Sequence, residues 1–433
     1  MVKVKTICRV PSEMTRESAS DIYKVHKNPD SLLHPLQQAR EYKRAVNAAK
    51  LEKIFSKPFI SALAEHTDSV FSLARSDTQL RLLVSGSANG EVKLWDLHKM
   101  KSISSYQAHS GAVSGVTYRQ EMFMSAGQDS IVNLWKGESQ EKYKSSMGLT
   151  SIDLSWKDSF FVTSGHDGVE LWDLRRSNPI SLFQAGSDTV HKAKFNPSEG
   201  HLLGALSNDR GILIIDSRSN SVVEKMKLLL KSNDIAWNPR EPLNFTLANE
   251  DGNLYTFDMR KLTEANRIHK DHLNSVTSVS YNPNGREFAS GSFDKTVRIF
   301  DIRDGRSREV YHTRRMQWIY SVEFSGDGKF VLTGSDDTNI RVWKSKAHMP
   351  LKVLLSKEQE ALQYRERLKK NFQYIPEMRR LLKHRHLPRY LFRQKKIKQI
   401  QKESQFRKEK NVQAHTKPEN IKIIPERKGV VVG

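Results

Sequence analysis

The chain has 433 residues, 71 Lys plus Arg against 49 Asp plus Glu, and one cysteine. That length fits one large domain with extensions or a few small ones, and the lone Cys8 excludes an internal disulfide framework and a cysteine-based zinc cluster. No apolar run approaches the roughly 20 residues that cross a bilayer. No apolar segment follows the basic stretch Met1–Pro11, so no secretory signal is expected and the Asn244-Phe245-Thr246 sequon reads as a chance match.

The charge is unevenly placed. Residues 1–56 carry 11 Lys/Arg and 6 Asp/Glu, residues 57–344 carry 36 and 35, and residues 345–433 carry 24 and 8. A neutral middle with basic ends predicts a folded body bearing polyanion-binding arms. An excess of 16 charges over the last 89 residues repels itself unless an anionic partner neutralises it. Nucleic acid fits that partner better than a membrane surface, because no lipidation motif or amphipathic anchor accompanies the charge.

After the basic N-terminal extension (1–56), Phe59-Ile60-Ser61-Ala62-Leu63 reads as a strand. Seven short β-rich runs follow, each ending in a large apolar residue: Trp95, Trp135, Trp172, Ile215, Phe257, Phe300 and Trp343. Their spacings of 40, 37, 43, 42, 43 and 43 residues are those of WD repeats, each a four-stranded blade. Ahead of each run stands a turn residue, Asn89, Asp129, Asp167, Asp209, Asp251, Asp294 or Asp337, whose side chain can bond nearby backbone. A strand Ser or Thr precedes the turn in five repeats, at Ser85, Ser125, Ser164, Ser290 and Thr333. Three repeats open with a histidine, His66, His109 or His272. In WD repeats such a His, Ser/Thr, Asp and Trp form a blade-locking relay. Here His272, Ser290 and Asp294 are present with Phe300 in the Trp position. The repeats without the histidine are expected to rely on packing. Ser, His and Asp recurring at repeat spacing are a structural device and not a catalytic triad. The sequence contains no P-loop, dinucleotide-binding or HExxH pattern, and no cofactor or metal is expected; His384 and His386 belong to a charged stretch.

No obvious strand follows Trp343, so the Phe59–Leu63 strand is expected to complete the last blade, giving an all-β seven-bladed propeller over 57–344. A basic helical extension is expected over 345–410. Ser356 with Gln359 marks one helix start; Pro376 and Pro388 mark two more. Leu362, Leu368 and Phe372 give a loose apolar stripe and Met378, Leu381 and Leu382 the apolar contacts of the second helix; beyond Pro388, Leu391, Phe392, Ile397, Ile400 and Phe406 need a covering surface, from the propeller or another protein. Residues 411–433 read as a flexible tail that orders on binding. Arg379, Arg380, Lys383, Arg385, Arg389, Arg393, Lys395, Lys396 and Lys398 are the densest candidate phosphate-binding residues. Aromatics are sparse among them, which speaks against a single-strand stacking platform.

Two flanking stretches carry a family resemblance. Leu33-His34-Pro35-Leu36, with Ala39–Tyr42 and Ala45–Phe59, and Arg379–Tyr390 resemble the ends of the Sof-one family of WD-repeat proteins. The resemblance implies a nucleolar, non-enzymatic scaffold of the small-subunit processome, the U3 small nucleolar ribonucleoprotein. Such a protein serves precursor ribosomal RNA processing, 18S rRNA maturation and 40S assembly. Precursor rRNA, the U3 particle and other processome proteins are then the partners. A second resemblance competes: Trp172-Asp173-Leu174-Arg175 matches the WDxR pattern of cullin-RING ubiquitin-ligase substrate receptors, making Asp173 and Arg175 candidate adaptor-binding residues. Asp216-Ser217-Arg218, Asp258-Met259-Arg260 and Asp301-Ile302-Arg303 are weaker copies.

Overall fold

A computed structural model describes residues 32–137, 139–184, 189–417 and 425–432. Residues 1–31 of the anticipated N-terminal extension and 418–424 of the anticipated tail lie outside the described residues. The chain divides into two compact units, one formed by Met1–Pro58 with Lys346–His386 and the other by Phe59–Ser345 with Leu387–Gly433.

The second unit contains the propeller. Seven antiparallel sheets of at least four strands succeed one another in chain order. The third strand of each blade supplies its core, as in Val297–Asp301 with Val297, Ile299 and Phe300 inaccessible. The seventh sheet closes as the sequence predicts. Phe59–Leu63 pairs antiparallel with Ile340–Lys344, setting Leu63 opposite Ile340 and Phe59 opposite Trp343. The two ends of the array are thereby joined by backbone hydrogen bonds, and no blade edge is left open at the closure.

Six of the seven blade turns share one conformation, and the third is more extended, with φ +147° at Gly168. The residue after each turn Asn or Asp has a positive φ: Gly90, Ser130, Gly168, Arg210, Gly252, Lys295 and Thr338. Left-handed backbone is costly for the four non-glycine residues. The preceding side chain offsets part of that cost by accepting a backbone N–H two residues on, as Asp209 does from Gly211 at 3.0 Å and Asp294 from Thr296 at 3.0 Å.

The fourth blade differs from expectation. Val431–Val432 adds a fifth strand along Ser221–Leu228, and the Leu229 N–H donates to the Val430 carbonyl at 3.0 Å. Val430 is buried among Leu228, Leu262 and Ala265. The end of the chain is therefore not a wholly flexible tail: apolar Val430 finds a pocket and the exposed blade edge supplies ladder partners. The preceding helix also runs past the anticipated boundary at 410, to His415.

In the first unit three helices pack together: α1 (Gln37–Ile54), α2 (Ser356–Asn371) and α3 (Pro376–Lys383). Ala45, Val46 and Ala49 of α1 form one core with Leu368, Phe372 and Met378. The small α1 residues let the helices approach, and Tyr42 lies edge-on to Phe372 at 5.7 Å. Glu52 receives Lys369 and lies 3.2 Å from His348. The apolar residues of α2 and α3 are thus covered by α1, which sequence reasoning had not assigned as a helix; of the residues beyond Pro388 expected to need a covering surface, Leu391 is buried while Phe392, Ile397, Ile400 and Phe406 are exposed. At the start of α2, Glu358 accepts the Leu355 N–H at 3.3 Å, so the cap uses Glu358 where the Ser356–Gln359 spacing was expected to act. The fourth helix, α4 (Arg389–His415), belongs to the second unit.

Candidate functional site

The histidine relays form, but each is incomplete in a different way. In the first blade the Trp95 indole N–H donates to Ser85 Oγ at 2.7 Å, and Ser85 in turn meets His66 Nε2 at 2.6 Å. The turn carboxylate is missing there, and Glu91 lies 3.5 Å from His66 Nδ1 in its stead. In the second blade His109 joins Asp129 at 3.0 Å to Ser125 at 2.9 Å, while Trp135 Nε1 has no partner. In the sixth, His272 joins Asp294 at 2.9 Å to Ser290 at 2.7 Å and Phe300 ends the chain. Burial holds the His272 imidazole below its usual pKa against the pull of Asp294. It is neutral at pH 7, with Nδ1–H donating to the carboxylate and Nε2 accepting from Ser290. The arrangement is that of a catalytic triad, yet Ser290 is fully buried and Asp294 is 4 % exposed, so no substrate reaches the hydroxyl.

The blades lacking the histidine are held by more than packing. In the third blade Trp172 donates to Thr163 at 3.0 Å, and buried Glu170 accepts from Thr163 at 3.3 Å and Ser145 at 2.8 Å. The relay hydroxyl is therefore Thr163 and not Ser164, which bonds Ser151 at 2.7 Å. In the fifth, Thr246, Thr256 and His269 form a buried chain. In the seventh, Trp343 donates to Thr333 at 3.0 Å, and Arg341 clasps Asp337 while bonding Ser335 at 2.8 Å. Only in the fourth are the equivalent positions apolar, Ala205 and Ile215, both fully buried. Every relay is thus part of the scaffold.

The central channel is charged but balanced. Arg75, Arg119, Lys192 and Lys194 face Asp77, Asp153, Asp234 and Glu323 around a cavity of about 210 Å³. Lys194 lies 3.0 Å from Asp234 and Arg119 3.2 Å from Asp77. Four cations against four carboxylates leave no excess charge for an anionic ligand.

The aspartate–arginine turns separate into two kinds. Arg218 and Arg260 fold back onto their own Asp216 and Asp258 as bidentate pairs, at 3.2–3.4 Å and 3.0–3.2 Å. Asp173 accepts the Arg175 backbone N–H at 3.1 Å, as Asp216 and Asp258 accept those of Arg218 and Arg260, but its further bond comes from the Ser159 hydroxyl at 3.3 Å and not from the guanidinium. Its carboxylate fixes the turn, and the exposed Arg175 guanidinium has no carboxylate partner among the described residues. Asp301 likewise accepts the Arg303 N–H at 2.9 Å.

The nine candidate phosphate-binding residues divide between the two units. Arg379, Arg380, Lys383 and Arg385 lie on or just after α3 in the first unit; Arg389, Arg393, Lys395, Lys396 and Lys398 lie on α4 in the second. On α3 the buried Met378 and the part-buried Leu381 and Leu382 form the inner face, which leaves Arg379 and Arg380 in solvent. Nine Lys/Arg and two Glu occupy α4. Leu391 is its one buried residue, and Tyr390 anchors its start by donating to the Asp294 carbonyl at 2.9 Å. Sequence reasoning stopped at Lys398 and missed Lys402 and Arg407, which continue one face of α4. A spacing of three and four residues from Lys395 onward was the available signal.

A Sof1-like domain matches residues 345–431, the N-terminal domain of nucleolar protein 10-like proteins matches 230–362, and WD domain repeats match 57–96 and 100–136. The DDB1- and CUL4-associated factor 13 of Danio rerio is 41 % identical over 442 residues, covering 100 % of this chain and 99 % of its own length. Those of Mus musculus and Homo sapiens are 44 % and 42 % identical with the same coverage. With likeness of this degree running the whole length of propeller and helices, the chain belongs to the DDB1- and CUL4-associated factor 13 family of Sof1-like WD-repeat proteins.

Proposed function

We propose that this protein is a non-enzymatic assembly factor of the small ribosomal subunit, acting in the nucleolus within the small-subunit processome. The Sof1-like match over 345–431 carries this reading, because it falls on the segment that holds the chain's charge excess. The propeller serves as a rigid frame with nearly balanced charge, and α3 and α4 offer cations to precursor rRNA or the U3 particle. Lysine and arginine contacts to phosphate give affinity and register without reading sequence. Depletion followed by rescue tests it. Loss of the protein should deplete 18S rRNA and accumulate its precursors, the full chain should restore processing, and a chain with the α4 cations neutralised should restore it poorly. Normal 18S rRNA levels on depletion would refute it.

A second reading is favoured by the relatives' association with DDB1 and CUL4 and by the Asp173–Arg175 turn, whose arginine stands unpaired in solvent. In it the third-blade turn docks a cullin-ligase adaptor, and the propeller presents a substrate. The two roles use different surfaces. Arg175→Ala should abolish adaptor co-purification while leaving rRNA processing intact; unchanged adaptor binding would refute this assignment.

A further inference from the structure

Residues Lys395, Lys398, Gln399, Lys402, Glu403, Phe406 and Arg407 recur at three- and four-residue steps, so they share one face of α4. That face lines a groove of about 1090 Å³ whose other wall comes from the fifth and sixth blades, including Lys270, Asp271 and Arg306. A helix normally turns an apolar stripe toward its own domain. Here the stripe is cationic, while Phe392, Ile397 and Ile400 are more than half exposed. Six cations, Lys270, Arg306, Lys395, Lys398, Lys402 and Arg407, line the groove against two carboxylates. Both carboxylates already accept hydrogen bonds: Asp271 from Ser307 at 2.7 and 2.8 Å, and Glu403 from Gln399 at 2.9 Å. Glu426 takes up Lys270. Among the described residues Arg306 and Lys402 have no carboxylate at ion-pair distance. Burial and the neighbouring Lys402 hold the Lys398 ammonium below its usual range against the opposing pull of Asp251 and Asp294.

We propose that this groove is a binding site for single-stranded RNA, with backbone phosphates on Lys395, Lys398, Lys402 and Arg306 and a base stacked on Phe406. Two features favour a nucleic acid strand over an acidic peptide. Lys398 and Lys402 are separated by about 6 Å along the helix axis, a step suited to successive phosphates. Phe406 is 66 % exposed within the lining, leaving a ring face open to a base. The inference deepens the assembly-factor reading and rests on it for the biological source of the strand.

The test uses the purified full chain and a fluorescent oligouridylate, read by anisotropy across a salt series. Lys398→Ala/Lys402→Ala should weaken binding on the order of tenfold at ~0.1 M salt and lower the slope of log affinity against log salt by about 1.4. Phe406→Ala should weaken it about fivefold. Lys408→Ala/Lys417→Ala, which removes equal charge outside the groove lining, should cost less than about twofold. Equal losses in the two charge variants would overturn the site in favour of diffuse attraction. Competition by polyglutamate as strong as that by unlabelled oligouridylate would overturn it in favour of an acidic peptide. Absence of oligouridylate binding by the unmodified chain would also overturn it. Processing of rRNA after depletion is a separate readout, so failure of the groove is distinguishable from failure of the assembly-factor reading.

Discussion

His269 offers a direct test of how the propeller's buried polar network sets its stability. It is fully buried, with its ring edge-on to Phe288 at 4.9 Å and Phe300 at 5.7 Å. Nδ1–H donates to the Asp304 carbonyl at 2.8 Å, and Nε2 accepts from Thr256 at 3.2 Å. Burial, with Arg267 nearby, brings its pKa from 6.5 down to about 4 against the opposing hydrogen bond to Asp304. The folded state therefore holds the neutral ring, and the unfolded chain takes up a proton first. The resulting stability is fully present above the unfolded pKa of 6.5 and falls as the pH drops toward 4. The full difference is worth about 3 kcal/mol, of which about 2 kcal/mol is lost by pH ~5. His269→Gln keeps a donor for the Asp304 carbonyl and removes the titration. Urea unfolding of the propeller at pH ~8 and pH ~5 should show the unmodified chain losing about 2 kcal/mol more than the variant between the two. An identical acid loss in both would refute the argument.

Other perturbations act on particular contacts. A Cβ at Gly90, where φ is +85°, would lie 2.1 Å from the His109 carbonyl oxygen, so Gly90→Ala should destabilise the propeller by at least about 2 kcal/mol in urea unfolding, whereas Ser130→Gly at the equivalent turn should not destabilise it. Val430→Ala should cost about 1–2 kcal/mol and speed hydrogen exchange at the Leu229 amide, which its carbonyl holds; unchanged exchange would separate the added strand from that cluster. Arg218→Ala and Arg260→Ala, whose guanidinium groups are occupied by their own aspartates, should leave adaptor co-purification largely intact where Arg175→Ala abolishes it.

Much of the propeller was legible because its signals are periodic. Large residues about 42 apart marked the third strand of every blade, and the lack of a strand after Trp343 pointed to Phe59–Leu63 as the closing piece. Pro376 and the stretch beginning at Pro388 marked two helix starts because proline is preorganised at a first turn. What escaped depends on partners far away in the chain. The inner face of α1 is made of Ala45, Val46 and Ala49, too weak a stripe to stand out until Leu368 and Phe372 cover it. The compensating roles of Glu170 and Arg341 could not be seen by searching for the missing histidines, since the substitutes sit on a different strand from the residue they replace. Val431–Val432 is a two-residue strand with no periodicity to detect. The α4 groove needed the fold, because Lys270 and Arg306 lie more than 80 residues before the helix that faces them.

The central claim, recruitment to precursor ribosomal RNA through the basic extension, is tested most directly by co-purification. The tagged full chain would be captured at low and at moderate salt, and its RNA sequenced and proteins identified together. The account expects U3 RNA, precursor rRNA and processome proteins, weakened by salt and by neutralising the α4 cations. Recovery of a cullin adaptor without those RNAs, or RNA recovery unaffected by the α4 substitutions, would contradict it.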